Sequence, residues 1–258
     1  MTIKFKHAYK SFGNKIIFKD ASINRNSIYF IMSPNGSGKT TLFKIITNLQ
    51  KLDKGKVYND YSNRKQFSIF DDLSLYKNLT GYQNIQLFTN FKFNNFEIEQ
   101  HSKKYEMLSK LHQKVSTYSL GEGKKISLIL WELLNSDLVI MDEVTNGLDH
   151  NTLKELKNSL IKAKKDSIII LTGHELLFYE EIIDELYILK DGKLFEEFDW
   201  KEERLEKTYE KYFLTRIILY VPFQTNSHIF KYYNSISIPW SITSNQFTKV
   251  QRCPIRAN

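Results

Sequence analysis

The sequence predicts an α/β protein, and three stretches carry this prediction. An apolar run over 28–32 precedes a glycine-containing turn at 33–41, and the pattern that begins at Leu42 is typical of a helix. Two further apolar runs, 138–141 and 168–171, have the length and composition of buried strands. Helical patterns lie between these runs, and strands that alternate with helices indicate a sheet covered by helices.

The segments around this core follow from their residue patterns. Residues 2–8 alternate between apolar and polar side chains, and 16–23 have a second strand pattern. We predict a turn at 52–56, a helix over 96–113 and a hairpin turn at 191–192. The strand patterns are thus separated by turns or helices, as expected for an α/β domain.

A mostly polar segment, 76–117, has a helical pattern and interrupts the series of strands. A helical block inserted in this way is expected to form a subdomain of its own. Its phenylalanines favour a small local core over a docking surface. They are Phe88, Phe91, Phe93 and Phe96.

The turn after the first apolar run has the composition of a phosphate-binding loop. Its backbone N–H groups converge at the N-terminus of the next helix, where the helix dipole adds partial positive charge. Lys39 supplies a full charge and Thr40 a hydroxyl suited to Mg²⁺. The alternative is a Gly/Ser turn without a ligand. The predicted nucleotide-binding residues are Ser33, Asn35, Gly36, Ser37, Gly38, Lys39, Thr40 and Thr41.

Polar residues that suit catalysis follow the two other apolar runs. Asp142 and Glu143 end the run 138–141, and two carboxylates there are costly to bury without a partner such as Mg²⁺. Alternation along the strand lets one side chain face a metal and the other face water. His174 follows 168–171, where α/β sheets bind ligands. The alternatives are a solvated strand end and a structural histidine.

Two further features are weaker signals. Residues 118–123 form a second glycine-bearing turn before an apolar helix, and such a turn can offer N–H groups to an anion. Phe12 precedes the strand pattern 16–23, and an aromatic ring there can stack on adenine or can pack as an ordinary core residue.

Composition and charge narrow the class of protein. The formal net charge is +8, but all 29 acidic residues precede Lys211, and the excess positive charge lies in the C-terminal tail. The single cysteine, Cys253, excludes an internal disulfide and fits a reducing compartment. No stretch approaches the roughly 20 apolar residues that cross a bilayer, and the N-terminus lacks the core of a signal peptide. We therefore expect a cytosolic protein.

In their order and spacing, these stretches resemble the ATP-binding cassette family, the ATPase subunits of ABC transporters. The resemblance covers about residues 1–213. The loop 33–41 is similar to Walker A, and 138–143 is similar to Walker B with its catalytic glutamate. Residues 119–122 resemble the signature motif, 146–149 the D-loop, and His174 the switch histidine.

The resemblance implies a P-loop NTPase core with an antiparallel β subdomain and an inserted α-helical subdomain at about 76–134. Residues 214–258 are a C-terminal tail whose role the sequence does not indicate. The resemblance also implies two such domains, alike or different, that pair head to tail around two ATP molecules. The signature turn of one domain, through Ser119 and Gly121, then closes over the nucleotide of the other.

The implied cofactors are ATP and Mg²⁺, and the family's roles transfer to matching positions. Thr40 and Asp142 are the implied magnesium residues, and Glu143 polarises the attacking water. His174 contacts the γ-phosphate, and Phe12 lies where the family keeps its adenine-stacking aromatic.

Three positions depart from the family pattern. Ser33 replaces a glycine and strains the loop if that position needs a positive φ. Asp71 stands where the family usually has glutamine, which suggests a role linked to Mg²⁺. The signature turn has Leu120 for its first glycine and Glu122 for glutamine, and the leucine resembles the branch that exports drugs, antibiotics and bacteriocins.

The function implied by the resemblance is an ATP-hydrolysing subunit on the inner face of the cell membrane. It powers a separate membrane-spanning subunit, with a drug, a peptide or a lipid-like molecule as the expected exported substrate. The alternative is a soluble ABC-type ATPase that acts on nucleic acid or ribosomes, which the basic tail favours. No nucleic-acid partner is expected, because cassettes of that kind usually contain two linked copies or long coiled-coil insertions.

Overall fold

The fold is taken from a computed structural model. The residues that it describes are 3–12, 15–18, 22–23, 26–59, 65–70 and 75–214. Of the predicted C-terminal tail only Leu214 falls within these ranges, so the boundary at 213 stays a prediction.

The described strands form two sheets. They are β1 (Ile3–Phe12), β2 (Lys15–Phe18), β3 (Ser22–Ile23), β4 (Ser27–Met32), β5 (Lys54–Asn59), β6 (Gln66–Ile69), β7 (Leu138–Met141), β8 (Ile168–Leu171), β9 (Glu185–Lys190) and β10 (Lys193–Glu197). The larger sheet has the order β10-β9-β4-β8-β7-β6. Its strands from β9 to β6 are parallel, and β10 is antiparallel to β9 across the predicted hairpin.

The part of the chain that the structure describes contains seven α-helices. They are α1 (Lys39–Ile46), α2 (Gly81–Phe88), α3 (Asn95–Lys104), α4 (Leu120–Leu134), α5 (His150–Ala163), α6 (Leu176–Glu180) and α7 (Trp200–Phe213), with a 3₁₀ turn at Val115–Thr117. The predicted α/β class is therefore confirmed. Within the described ranges no helix combines the length and the apolarity needed to cross a membrane.

The larger sheet is buried on both faces because its strands are apolar at consecutive positions. In β4, Ile28 and Phe30 belong to one core cluster, whereas Tyr29 and Ile31 belong to a second cluster that includes Leu42 of α1. Burial on both faces requires nearly continuous apolar runs, as the sequence shows. The parallel strands also end at one edge, so the loops after β4, β7 and β8 meet there.

The smaller sheet is antiparallel and is built around β1, which pairs with β2, β3 and β5. The predicted turn at 52–56 is wrong, because Gly55 lies inside β5. Gly55 has a φ of 81°, and a Cβ there would lie 2.1 Å from the carbonyl oxygen of His7. The pairing of β1 with β5 is irregular between Lys6 and Tyr9. The glycine therefore accommodates a bulge rather than a turn.

The helical block differs from the prediction in two ways. Helix α3 ends at Lys104 instead of 113, because Glu106 takes a φ of 57° that no α-helix accommodates. The phenylalanines do not form a core, since Phe91 and Phe96 are both 68% exposed. The buried residues of the block are instead Ile85, Ile98, Tyr105, Met107 and Leu111.

Candidate functional site

The 33–41 loop connects β4 to α1 at the edge where the parallel strands end. Gly36 and Gly38 have φ values of 72° and 108°, which L-amino acids with side chains rarely adopt. Side chains cap the N-termini of α2 to α5, but no side chain caps α1. The first turn of α1 therefore presents N–H groups that a ligand can satisfy.

Lys39 is held inside this loop. Its side chain is buried, and its Nζ donates to the carbonyl oxygens of Ser33 at 3.1 Å and Pro34 at 3.3 Å. Burial lowers the pKa of Lys39, and the carboxylates of Asp142 and Glu143 oppose that shift. The lysine is thus a cation kept next to two anions at the sheet edge.

Ser33 fits the loop without the strain that its replacement of glycine suggests. It does not take a positive φ, so a side chain is tolerated at this position. Its hydroxyl lies 2.7 Å from the hydroxyl of Ser37, which links the two sides of the loop. The departure from the family pattern therefore leaves the loop intact.

Asp142 joins three elements through its carboxylate. It is only 6% exposed, and Oδ2 accepts a hydrogen bond from the Thr40 hydroxyl at 2.9 Å. Oδ1 accepts a hydrogen bond from the Thr172 hydroxyl at 2.5 Å. Thr172 is not among the predicted site residues, although its position directly after the apolar run 168–171 is a signal that could have identified it.

Glu143 faces away from Asp142 into a second set of polar groups. Its Oε2 accepts from the Asn146 side chain at 2.9 Å, and its Oε1 lies 3.2 Å from His174 Nε2. The backbone of Glu143 takes a φ of 51°, and its N–H donates to the carbonyl oxygen of Thr172 at 3.2 Å. The structure therefore brings Lys39, Thr40, Asp142, Glu143 and His174 together.

The predicted turn at 118–123 is wrong from Leu120 onward, because Leu120 begins α4 and Ser119 is its N-cap. Ser119 caps α4, and its hydroxyl accepts from the Glu122 N–H at 3.2 Å, while Glu122 accepts from the Ser119 N–H at 2.9 Å. Lys110 also donates to the Glu122 carboxylate. Gly121 packs against the 143–149 loop, where a Cβ would lie 2.2 Å from the carbonyl oxygen of Gly147. In the described part of the chain, Ser119 has no hydrogen bond to the 33–41 loop.

Two predicted site residues are not tested by this geometry. Phe12 ends β1, but its side chain lies outside the described residues, as does the whole of Asp71. Their assignments stay predictions.

Comparison with known proteins agrees with this geometry. The family model described as ABC transporter matches residues 19–146, about half of the chain. The uncharacterized ABC transporter ATP-binding protein YhcH of Bacillus subtilis is 29% identical over an alignment of 226 residues, with 82% of this chain and 74% of that protein covered. The lantibiotic transport ATP-binding protein SrtF of Streptococcus pyogenes is 27% identical over an alignment of 228 residues, with 82% of this chain and 97% of that protein covered.

A further relative and a solved structure agree with these matches. The bacitracin transport ATP-binding protein BcrA of Enterococcus faecalis is 26% identical over 225 residues, with 81% of this chain and 72% of that protein covered. A solved ATP-binding subunit of an ABC transporter has the same fold, with a TM-score of 0.69 and 22% identity over 79% of this chain and 92% of that chain. The nucleic-acid alternative has no support among these relatives. The chain belongs to the ATP-binding cassette family, as an ATP-binding subunit of an ABC transporter.

Proposed function

We propose that this chain binds ATP with Mg²⁺ at the 33–41 loop and hydrolyses the nucleotide to power a separate membrane-spanning subunit. The observation that carries the proposal is the contact between Thr40 and Asp142, which joins the loop to the end of β7 at 2.9 Å. It places a hydroxyl and a buried carboxylate side by side, with Lys39 in the same site.

The two protein oxygens at this site fit Mg²⁺ that is shared with a nucleotide. They do not fit a metal that protein side chains hold alone. Magnesium in nucleotide sites is bound by one or two protein oxygens and completes its shell with phosphate oxygens and water. The Thr40 hydroxyl and the Asp142 carboxylate are the residues that would hold it. Within the described ranges no group of three or more His, Cys, Asp or Glu side chains could bind a metal on its own, which agrees with such a shared site. The bound ion supplies charge neutralisation to the phosphates.

Lys39 and the first turn of α1 are assigned to the phosphates. The Lys39 ammonium now bonds to two loop carbonyls, and these are neutral acceptors that a phosphate oxygen can replace with a stronger, charge-assisted bond. The uncapped N–H groups of α1 add donors at the same place. We assign Ser33, Asn35, Gly36, Ser37, Gly38 and Thr41 to this cradle together with Lys39 and Thr40.

Glu143 is assigned as the group that orients and polarises the attacking water. Asn146 and His174 hold its carboxylate through one oxygen each, which fixes the direction of the remaining lone pairs. A held carboxylate accepts a proton from water more effectively than a freely rotating one, because its orientation is set in advance. His174 is half exposed and is assigned to the γ-phosphate.

Closure of the site requires a second ABC domain, either the same chain or a similar one. Ser119 is exposed at the start of α4, so its hydroxyl is available to the nucleotide of a second molecule. Gly121 is buried in the first turn of the same helix, and we assign it to the same contact from its match to the signature motif. Loss of the γ-phosphate removes these contacts and loosens the pair. That cycle of closing and opening is the movement that drives the membrane partner.

The transport role is assigned from the relatives. SrtF and BcrA are named as lantibiotic and bacitracin transport proteins, and Leu120 in the signature turn fits the export branch. We therefore propose export of a drug, a peptide or a lipid-like molecule, with this subunit on the cytoplasmic face of the cell membrane. Copurification with a multi-span membrane protein supports this role, and copurification with RNA contradicts it.

The test of hydrolysis is a comparison of wild type with Glu143→Gln. We expect the variant to bind ATP with unchanged affinity and to lose at least about 100-fold in turnover, because only the proton acceptor is removed. Glu99→Gln, which changes an exposed glutamate of α3, is the matched control and keeps wild-type turnover. Wild-type turnover in Glu143→Gln would contradict the assignment.

We also assign two further residues to the site. Phe12 would supply the ring that stacks on adenine, and Asp71 would supply a carboxylate linked to Mg²⁺. Phe12→Ala should weaken ATP binding more than GTP binding if the ring stacks on adenine, and equal losses would remove it from the site. Asp71→Gln should shift the Mg²⁺ dependence of turnover. Identical Mg²⁺ titrations for wild type and Asp71→Gln would remove Asp71 from the proposed site.

A further inference from the structure

Lys124 lies in the second turn of α4 and is fully buried, with 0% of its surface exposed. Lysine is seldom buried in this way, since its ammonium loses hydration that only hydrogen bonds can replace. Its Nζ donates to the main-chain carbonyl oxygen of Glu143 at 2.8 Å. A buried cation therefore contacts the residue to which we assign the attacking water.

The backbone of Glu143 is in a conformation that needs outside support. A φ of 51° is uncommon for a residue with a side chain, and such strain persists only where neighbouring groups hold it. The N–H of Glu143 is bound by Thr172, and its carbonyl accepts from Lys124 and from the Asn146 N–H at 3.3 Å. Lys124 is thus one of the groups that fix the peptide from which the carboxylate projects.

Lys124 also belongs to a set of contacts between α4 and the loop 143–149. Gly121 packs against Gly147, and the Lys125 ammonium lies 2.6 Å from the Asp149 carboxylate. These contacts span the first two turns of the helix that begins with the signature turn. The helix that begins beside Ser119 is therefore in direct contact with the loop that contains Glu143.

We propose that Lys124 is a positioning residue, which holds the Glu143 backbone and links it to the signature turn of the same chain. This inference rests on the proposed function and extends it: the turn that closes over a second molecule's nucleotide also sets the catalytic carboxylate of its own site. When the signature turn of one chain engages the nucleotide bound to a second chain, it thereby prepares the first chain's own site for hydrolysis.

The test is Lys124→Met, which keeps the length of the side chain and removes the donor. We expect turnover to fall at least about tenfold with ATP affinity unchanged within about twofold, because only the orientation of Glu143 is altered. Lys103→Met, which changes an exposed lysine of α3, is the matched control and should keep wild-type turnover. In the Glu143→Gln background Lys124→Met should have no further effect on turnover, since it acts through Glu143.

The outcomes separate this inference from the proposed function. If wild type hydrolyses ATP and Glu143→Gln does not, the proposed function stands, and wild-type turnover in Lys124→Met then overturns the inference alone. A parallel loss of turnover and ATP affinity also overturns it, because that result indicates general disruption of the site. If Lys124→Met fails to fold, Lys124→Gln replaces it; a selective loss of turnover supports the inference, and wild-type turnover or a parallel loss overturns it.

Discussion

The Asp142 carboxylate and the Thr40 hydroxyl are joined at 2.9 Å, although 102 residues separate them in the chain. The contact links the end of β7 to the first turn of α1. It forms because β4 and β7 are both parallel strands of one sheet, each bonded to β8, so their C-terminal ends lie at the same edge. The two residues to which we assign Mg²⁺ are therefore in place before any ligand binds.

Removal of the Thr40 hydroxyl should raise the Mg²⁺ concentration that turnover requires. We expect Thr40→Val, which has nearly the same shape, to raise the Mg²⁺ concentration for half-maximal turnover about tenfold or more, because a ligand and a hydrogen bond to a charged group are both lost. Thr40→Ser keeps the hydroxyl and is the control. Equal Mg²⁺ titrations for Thr40→Val and Thr40→Ser would contradict the assignment.

Lys39→Met should weaken ATP binding without lowering the stability of the free protein. The loss of a charge-assisted bond to phosphate should weaken ATP binding at least about tenfold. Burial lowers the pKa of Lys39, so the charged lysine costs the folded state stability at every pH below the unfolded value of 10.5. The melting temperature should therefore not fall in Lys39→Met.

Nucleotide titration and thermal unfolding check the two expectations for Lys39→Met, with the exposed Lys51→Met as control. Unchanged ATP affinity would count against the assignment of the loop. A large drop in melting temperature would instead show that the ammonium stabilises the free protein.

The sequence predicts most of the sheet and the position of the site, because both depend on local patterns. Continuous apolar runs identify β4, β7 and β8, and the polar residues after each run mark one sheet edge. Asp142, Glu143 and His174 could be predicted in this way. Thr172 follows the run 168–171 in the same way and could also have been identified. Lys124 could not, because it reaches Glu143 only through the packing of α4 against the loop 143–149.

The incorrect predictions have one physical cause, which is that tertiary packing overrides local preference. Gly55 has the composition of a turn but accommodates a bulge against His7. The apolar period of 96–113 continues beyond Lys104, yet Glu106 reverses the chain so that Met107 and Leu111 enter the core. Phe91 and Phe96 stay exposed although their side chains are apolar.

Glu132 should make the protein sensitive to acid. Burial raises the pKa of this carboxyl, but hydrogen bonds from His101, Lys104, Ser159 and Tyr105 outweigh burial and lower it to about 2. Because the folded pKa is below the unfolded value of 4.5, the carboxylate stabilises the fold above about pH 5. That contribution, on the order of 3 kcal/mol, is lost as the pH falls towards 2.

Urea unfolding at pH 7 and at pH 3 checks this expectation. Glu132→Gln should be less stable than wild type at pH 7. The difference should shrink at pH 3, because there the unfolded chain is protonated at Glu132 while the folded chain is mostly not. Glu99→Gln changes an exposed glutamate and should keep the wild-type dependence. A constant difference between Glu132→Gln and wild type at both pH values would contradict the role of the charge.

The Lys110–Glu122 ion pair should matter for pairing of two molecules. Glu122 bonds to the Ser119 N–H, so its negative charge lies at the turn that we assign to a second molecule's triphosphate. The hydrogen bond from Lys110 lowers the pKa of Glu122 and compensates that charge. In Lys110→Met the carboxylate should repel the phosphates and weaken ATP-dependent dimerisation by up to about fivefold, more at low salt.

Sedimentation velocity with ATP, in the Glu143→Gln background that prevents hydrolysis, measures this effect. The double variant Lys110→Met/Glu122→Gln should recover the original dimerisation, because it removes the charge that Lys110 compensates. Lys103→Met changes an exposed lysine on α3 and should have no effect. If the double variant dimerised as poorly as Lys110→Met alone, the loss would come from packing of Lys110 and not from the charge of Glu122.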